Sequence, residues 1–509
     1  MSGVDRLSRR SFVAGAAALS VARGAVSAAV AAPDADLAEL SAADAVARMT
    51  RGDLTAERYA SALLARCRSH ASLNAFISLE PERVLDEARA RDRERRAGAK
   101  LGPLFGLPIP VKDSVNTRDY RTTGGTPALR EFRPRADAPV VTALRNAGAV
   151  VLGKTNLHEL SYGWTSNNPA FGAVHNPYDP TRIPGGSSGG TAAAIAARLA
   201  PLGVAEDTEG SIRVPAAFCG IAGFRPTTGR YSTHGCIPIS PLFDQVGPHA
   251  RSVADLALFD SVVAGDWSPL EARGLRGVRL GVVRDYWYAD LDPDIARAAE
   301  LALARLREAG AVLVEGAMPD LAKLIDLTTD PVQNHDVRTE LARYLKTYGA
   351  PVSLEQLVAR ASPDIRALFR SDVLPGGANF VSESAYRAAR DEHLPALRRL
   401  YRDYFARARV AAMVFPTTLV AAPAIGEETT VQTADGRILP FEVAVARNIA
   451  PASTAGVPGL VLPAGLTPGG LPVALEFDGP AAGDRALLEL GLSLQAALGP
   501  LPPPPETRG

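Results

Sequence analysis

Three segments of this chain set residues capable of nucleophilic or acid–base chemistry beside backbone that can approach closely. Gly106-Leu107-Pro108-Ile109-Pro110-Val111-Lys112-Asp113 puts a lysine at the end of an apolar strand, and a buried lysine is costly unless it is used. Pro184-Gly185-Gly186-Ser187-Ser188-Gly189-Gly190 is a glycine loop leading into an alanine-rich helix, so its free amides can face an anion or a developing charge. Asp207-Thr208-Glu209-Gly210-Ser211-Ile212-Arg213-Val214-Pro215 follows a further strand and offers a second serine, Ser211, which could equally cap the helix it opens. Taken alone, the glycine loop is compatible with a structural turn. It meets G-x-S-x-G formally at Gly185 to Gly189, but Pro177, Pro180 and Pro184 forbid the preceding strand of a nucleophile elbow. It also lacks the lysine of a phosphate-binding loop.

Other chemistries find less support. His158 is followed by Glu159 but has no second histidine four positions on, so there is no zinc helix, and His175, His234 and His249 stand alone in loops. A Ser-His-Asp arrangement stays open, because such triads are defined by geometry and not by order. Cys219 reads as a buried helix residue and not as a nucleophile. With only Cys67, Cys219 and Cys236 present, at most one disulfide could form. No metal and no cofactor is predicted.

The elements that must position these residues read as α/β. Helical patterns over Ser41 to Met49, Thr55 to His70 and Pro81 to Gly98 form an N-terminal layer. Short apolar strands then alternate with helices: Ile109 to Val115, Pro139 to Ala147, Val150 to Gly153, Gly190 to Ala200, Leu202 to Ala205. After a helix at Ser252 to Val263 the alternation continues through Val278 to Arg284, Asp294 to Glu308 and Ala311 to Val314. Residues 321–408 read as a helical insertion, interrupted by Pro351, Pro363 and Pro375. Strands return at Val410 to Phe415, Leu460 to Pro463 and Pro472 to Phe477, before a last helix from Arg485 to Leu498. The prediction is a single large domain over residues 33–499, with a mixed central sheet covered by helices, and a flexible tail at 500–509 with four consecutive prolines.

Residues 1–32 read as an export leader. Ser8-Arg9-Arg10-Ser11-Phe12-Val13 carries a twin-arginine pair ahead of a mildly apolar stretch, and Val26-Ser27-Ala28 suits a signal peptidase. The apolar run falls short of the roughly 20 residues that span a bilayer. The expected destination is the periplasm or the exterior, with no membrane partner once the leader is removed. Across all 509 residues, 47% are hydrophobic and 22% charged, which excludes global disorder and coiled coil. The 55 basic and 55 acidic residues cancel, so nothing implies general attraction to nucleic acid.

In combination the three segments resemble the amidase signature family of serine amide hydrolases, over nearly the whole mature chain. The resemblance implies a catalytic triad of Lys112, Ser187 and Ser211. Ser211 would be the nucleophile, Ser187 a serine held in a cis peptide bond, and Lys112 the base acting through Ser187. A serine hydroxyl attacks poorly until a neighbour takes its proton. A lysine does that at neutral pH only if desolvation lowers its pKa from about 10.4. The amides of Thr208, Glu209, Gly210 and Ser211 would form the oxyanion hole, with Ser188, Asp207 and Arg213 in support.

Ser161 to Asn168 and Phe171 to Pro177 look like stretches of bacterial mandelamide and indoleacetamide hydrolases, implying a small, aryl-substituted primary amide as substrate. Tyr162, Trp164 and Phe171 are candidates for an acyl pocket. One departure stands out. Where the family runs Gly-Thr-Asp-x-Gly-Gly-Ser, this chain has Ala205-Glu206-Asp207-Thr208-Glu209-Gly210-Ser211. The Glu209 side chain is expected to point to solvent or pair with an arginine, since a carboxylate facing the oxyanion would oppose its stabilisation. Two other functions compete with an exported hydrolase: a glutamine-amidotransferase subunit of the same family, which would need a partner chain and tRNA, and a periplasmic solute-binding protein. A homodimer is allowed.

Overall fold

The computed structural model describes residues 37–505; the predicted leader lies outside them. The strands are β1 (Phe76–Ser78), β2 (Pro108–Lys112), β3 (Val150–Thr155), β4 (Leu202–Asp207), β5 (Ala222–Arg225), β6 (Gln245–Ala250), β7 (Arg279–Val282), β8 (Val312–Glu315), β9 (Ala412–Pro416), β10 (Thr430–Gln432), β11 (Ile438–Pro440), β12 (Gly459–Leu466) and β13 (Pro472–Asp478). Eleven of them form one sheet in the order β1-β3-β2-β4-β6-β5-β12-β13-β9-β7-β8, and β10 pairs only with β11. The sheet is mixed. β2 runs parallel to β3 and β4, β7 runs parallel to β8 and β9, and the strands between these groups are antiparallel.

Most of the central strands are buried along their whole length, which is why they read as short apolar runs and not as alternating ones. Helices cover the faces. The helix Ala42–Arg51 is capped by Ser41, whose side chain accepts from the Asp44 amide, and stops at Gly52 in a left-handed conformation. Its first amides, of Ala42 and Ala43, donate to the Asp255 carboxylate at the head of the helix Val253–Ala264. This pins the N-terminal layer to the body.

Between β8 and β9 the chain forms the predicted insertion, with helices that include Leu321–Asp326, Thr329–Tyr348, Leu354–Arg360, Pro363–Leu368, Glu383–Ala388 and Leu394–Ala408. Pro363 starts a helix instead of breaking one, since its missing N–H is one that a first turn leaves unpaired anyway. The insertion carries its own apolar cluster, in which Leu341, Leu357 and Phe369 pack on Leu129, Leu160 and Ile237 of the main body.

Two expectations are corrected. β1, β5 and β6 carry no recognisable strand pattern: β1 is three residues between helices, and β6 contains Pro248 and His249, so His249 sits in a central strand and not in a loop. The tail is not free along its length, for the Tyr178 hydroxyl donates to the Pro502 carbonyl at 2.9 Å. Among the described residues the three cysteines are buried free thiols. No helix among them is long and apolar enough to cross a membrane.

Candidate active site

Parallel pairing sets the first coordinate of the site. Val111 of β2 lies opposite Val204 of β4, so Lys112 and the run from Glu206 to Ser211 emerge at the same edge of the sheet. Lys112 is fully buried. Its Nζ is hydrogen-bonded to Ser187 Oγ at 2.7 Å and stands 3.2 Å from Glu206 Oε1. Burial pulls its pKa below the ordinary lysine range, while Glu206 and Asp207 pull the other way.

The Gly186–Ser187 peptide bond is cis. The Ser187 carbonyl accepts from the His158 amide at 3.1 Å and from Ser166 Oγ at 3.2 Å. A Cβ on Gly186 would fall 2.7 Å from the Trp164 carbonyl carbon, so no side chain fits there. Ser188 ties this loop to β4: its hydroxyl donates to the Glu206 carbonyl at 3.1 Å, and its amide donates to the Ser211 carbonyl at 3.3 Å.

Ser211 does not cap the helix Arg213–Phe218 that follows it. It lines a cavity of about 340 Å³ together with Tyr162, Trp164, Glu209, Gln333 and Asp372. The loop before it is held from behind. Asp207 accepts from the Gly210 amide at 2.8 Å and the Ile212 amide at 3.0 Å, and pairs with Arg213 at 3.1 Å. Arg213, itself fully buried, reaches Glu476 at 2.6 Å, the Ile449 carbonyl at 2.9 Å and Ser453. Arg213 and Arg225, the latter 3.5 Å away, hold the Asp207 carboxyl well below the usual carboxylate range, against the opposing effect of burial. Asp207 and Arg213 thus pair behind the loop that carries Ser211. His249 adds a further tie from β6, its Nε2 bonded to the Ile212 carbonyl at 2.7 Å.

The amides sort differently from the expectation. Gly210 N–H is committed to Asp207 and is withdrawn from the oxyanion set. Those of Thr208, Glu209 and Ser211 have no hydrogen-bond partner within the described residues. Gly210 instead serves the turn, at φ 97°, where a Cβ would meet Ile449 at 1.7 Å.

Glu209 also departs from its expectation. Its carboxylate neither faces solvent nor pairs with an arginine; Oε2 accepts from Gln333 Nε2 at 2.9 Å at the cavity wall. Burial, then Asp330 nearby, pushes its carboxyl up to about 8. Of the three aromatic candidates, Tyr162 and Trp164 line the cavity, and Trp164 Nε1 donates to the Glu209 carbonyl at 2.8 Å. Phe171 lies elsewhere, its ring under Arg130.

The competing chemistries find no geometry. His158 bonds Thr165 Oγ1 at 3.1 Å and His175 bonds the Pro180 carbonyl at 2.6 Å. Burial pulls His158 and His249 down to about 4, so each stays neutral. Cys219 donates to the Pro184 carbonyl, and burial raises its thiol far above the range of a reactive thiolate. Among the described residues no group of histidine, cysteine and carboxylate side chains could hold a metal ion. A second buried lysine, Lys154, passed unnoticed in the sequence; it pairs with Asp113 at 3.1 Å and bonds the Val115 carbonyl at 2.8 Å. Glu206 and Gln333 were likewise missed, the first signalled only by its replacement of a threonine and the second by nothing local.

The Amidase family model matches residues 58–488. The chain belongs to the amidase family. It is similar to an indoleacetamide hydrolase of Agrobacterium vitis, 38% identical over 459 residues that cover 90% of this chain and 97% of that protein. A mandelamide hydrolase of Pseudomonas putida is 37% identical over 479 residues, 92% and 93% of the two chains. The fold resembles that of the peptide amidase from Stenotrophomonas maltophilia, with a TM-score of 0.76, 32% identity and coverage of 93% of this chain and 100% of that one. The protein is an amide hydrolase, acting on carbon–nitrogen bonds of amides.

Proposed function

We propose that this chain is an exported hydrolase of small carboxylic amides, aryl-substituted primary amides foremost, with Ser211 as nucleophile and Lys112 as base acting through Ser187. The observation that carries this is the 2.7 Å bond between a fully buried Lys112 and Ser187, in a loop tied by the Ser188 amide to the carbonyl of Ser211, which lines the cavity. A desolvated lysine is neutral more readily than one in water, and can take a proton relayed from Ser211. As Ser211 Oγ bonds to the amide carbon, the carbonyl oxygen gains charge, which the unpartnered amides of Thr208, Glu209 and Ser211 would stabilise.

Tyr162 and Trp164 support an aryl group in the acyl part of the substrate. The indoleacetamide and mandelamide hydrolases are similar enough to favour the same class. Glu209, Asp330, Asp372 and Glu442 line the same cavity without any lysine or arginine, so amides bearing a carboxylate are disfavoured. The twin-arginine motif supports action in the periplasm or outside the cell. Hydrolysis alone needs no second chain, which favours it over an amidotransferase subunit. Purified mature chain, without partner or added metal, should release ammonia from phenyl- and indolyl-acetamides; binding without ammonia release would favour the solute-binding alternative.

A further inference from the structure

The family run that this chain resembles has threonine where Glu206 stands, immediately before Asp207. Glu206 is only 8% exposed. Its Oε1 lies 3.2 Å from Lys112 Nζ and accepts a 2.6 Å hydrogen bond from Ser161, which lines the cavity in front of Ser211. Lys112 is therefore held between a neutral hydroxyl, Ser187, and a carboxylate.

We propose that Glu206 is a positioning residue for amide hydrolysis, holding Lys112 Nζ against Ser187 and stabilising the ammonium formed while Ser211 is acylated. This rests on the roles proposed above for Lys112, Ser187 and Ser211. In acylation, Ser211 Oγ forms a bond to the amide carbon and its proton passes to Ser187 Oγ, whose own proton passes to Lys112 Nζ. The carbonyl oxygen takes the negative charge. On collapse the carbon–nitrogen bond breaks, and the lysine proton returns through Ser187 to the leaving nitrogen, which departs neutral. Water repeats the sequence to free the acid.

Glu206 exchanges no proton in these steps. Its carboxylate faces a positive charge that is largest when Lys112 holds the relayed proton, so it favours the intermediate over the resting neutral base. A hydroxyl at the same position would leave that buried ammonium with weaker compensation. Glu206 also opposes burial in setting the charge of the resting lysine. The other titratable groups around Lys112 are Asp207, Cys236, His158 and His249, while Lys154 and Asp113 compensate each other.

The test is the pH profile of kcat/KM for one neutral amide in the parent, Glu206→Gln and Glu206→Thr. Without the carboxylate the protonated lysine is less stable, so the rising limb should move to lower pH by about one unit or more. The plateau kcat should fall by about tenfold or more, with KM within about threefold. Should the glutamine variant not fold, the threonine variant carries the same readout. A limb that stays in place in either folded variant overturns the proposal, as does an unchanged plateau. Lys112→Ala, run alongside, separates the two levels: an unchanged limb in that variant removes the base assignment itself.

Discussion

Gln333 Nε2 donates a 2.9 Å hydrogen bond to Glu209 Oε2, joining the loop before Ser211 to the helix Thr329–Tyr348 of the insertion. The insertion thereby forms one wall of the cavity and fixes the direction of a carboxylate that the family run lacks.

For substrate choice, Glu209→Gln should change the ranking of plain, hydroxylated and amine-bearing aryl acetamides by about tenfold, roughly 1.4 kcal/mol in kcat/KM. Above about pH 8, where Glu209 is ionised, the amine-bearing substrate should lose most, because a carboxylate at the wall favours a cation. Measuring the three amides on both proteins decides it, and an unchanged ranking would make Glu209 a bystander.

The same residue makes stability depend on pH. Burial raises its carboxyl from 4.5 to about 8, so between those values the folded chain binds a proton that the unfolded chain has released. Its contribution is therefore favourable at low pH and is lost as pH rises through that window. The Tm of Glu209→Gln should gain on the parent between about pH 4 and pH 9; a constant offset across the range would contradict this.

Ser211→Ala should retain the fold and lose most activity. A fluorophosphonate probe should label the parent at Ser211 alone, as read by peptide mass mapping. Labelling that survives the substitution would move the nucleophile elsewhere.

With Lys112 as base, kcat/KM should rise with pH through its depressed pKa, giving a neutral to alkaline optimum. Lys112→Ala should flatten that limb and lower the rate by about 10² to 10⁴ fold.

Arg213→Met tests the frame behind the nucleophile. It would leave Glu476 buried without its guanidinium and Asp207 with Arg225 alone, a loss of about 3–5 kcal/mol, visible as a lower urea midpoint.

Changing Arg9 and Arg10 to lysine should leave the precursor unexported and uncleaved. Unaltered delivery to the periplasm, followed by fractionation, would refute the leader.

Local patterns alone determined much of this protein. The apolar run ending in Lys112, the glycine loop at Ser187, the polar run before Ser211 and the alternation of strands with helices all depend on neighbours in the chain, so the α/β class and the helical insertion were legible, while the candidate triad was implied by the resemblance those three segments carry. Tertiary structure decided what depends on distant partners. β6 is a strand because β4 and β5 flank it, despite Pro248 and His249. The Gly210 amide is taken by Asp207, leaving only its neighbours free. Glu209 turns to the cavity because Gln333, 124 residues further on, packs there. Glu206 reaches Lys112 only through the pairing of β4 with β2. Propensity and periodicity describe how a segment folds against itself, whereas the direction of a buried charge is set by whichever group, however remote in sequence, can satisfy it.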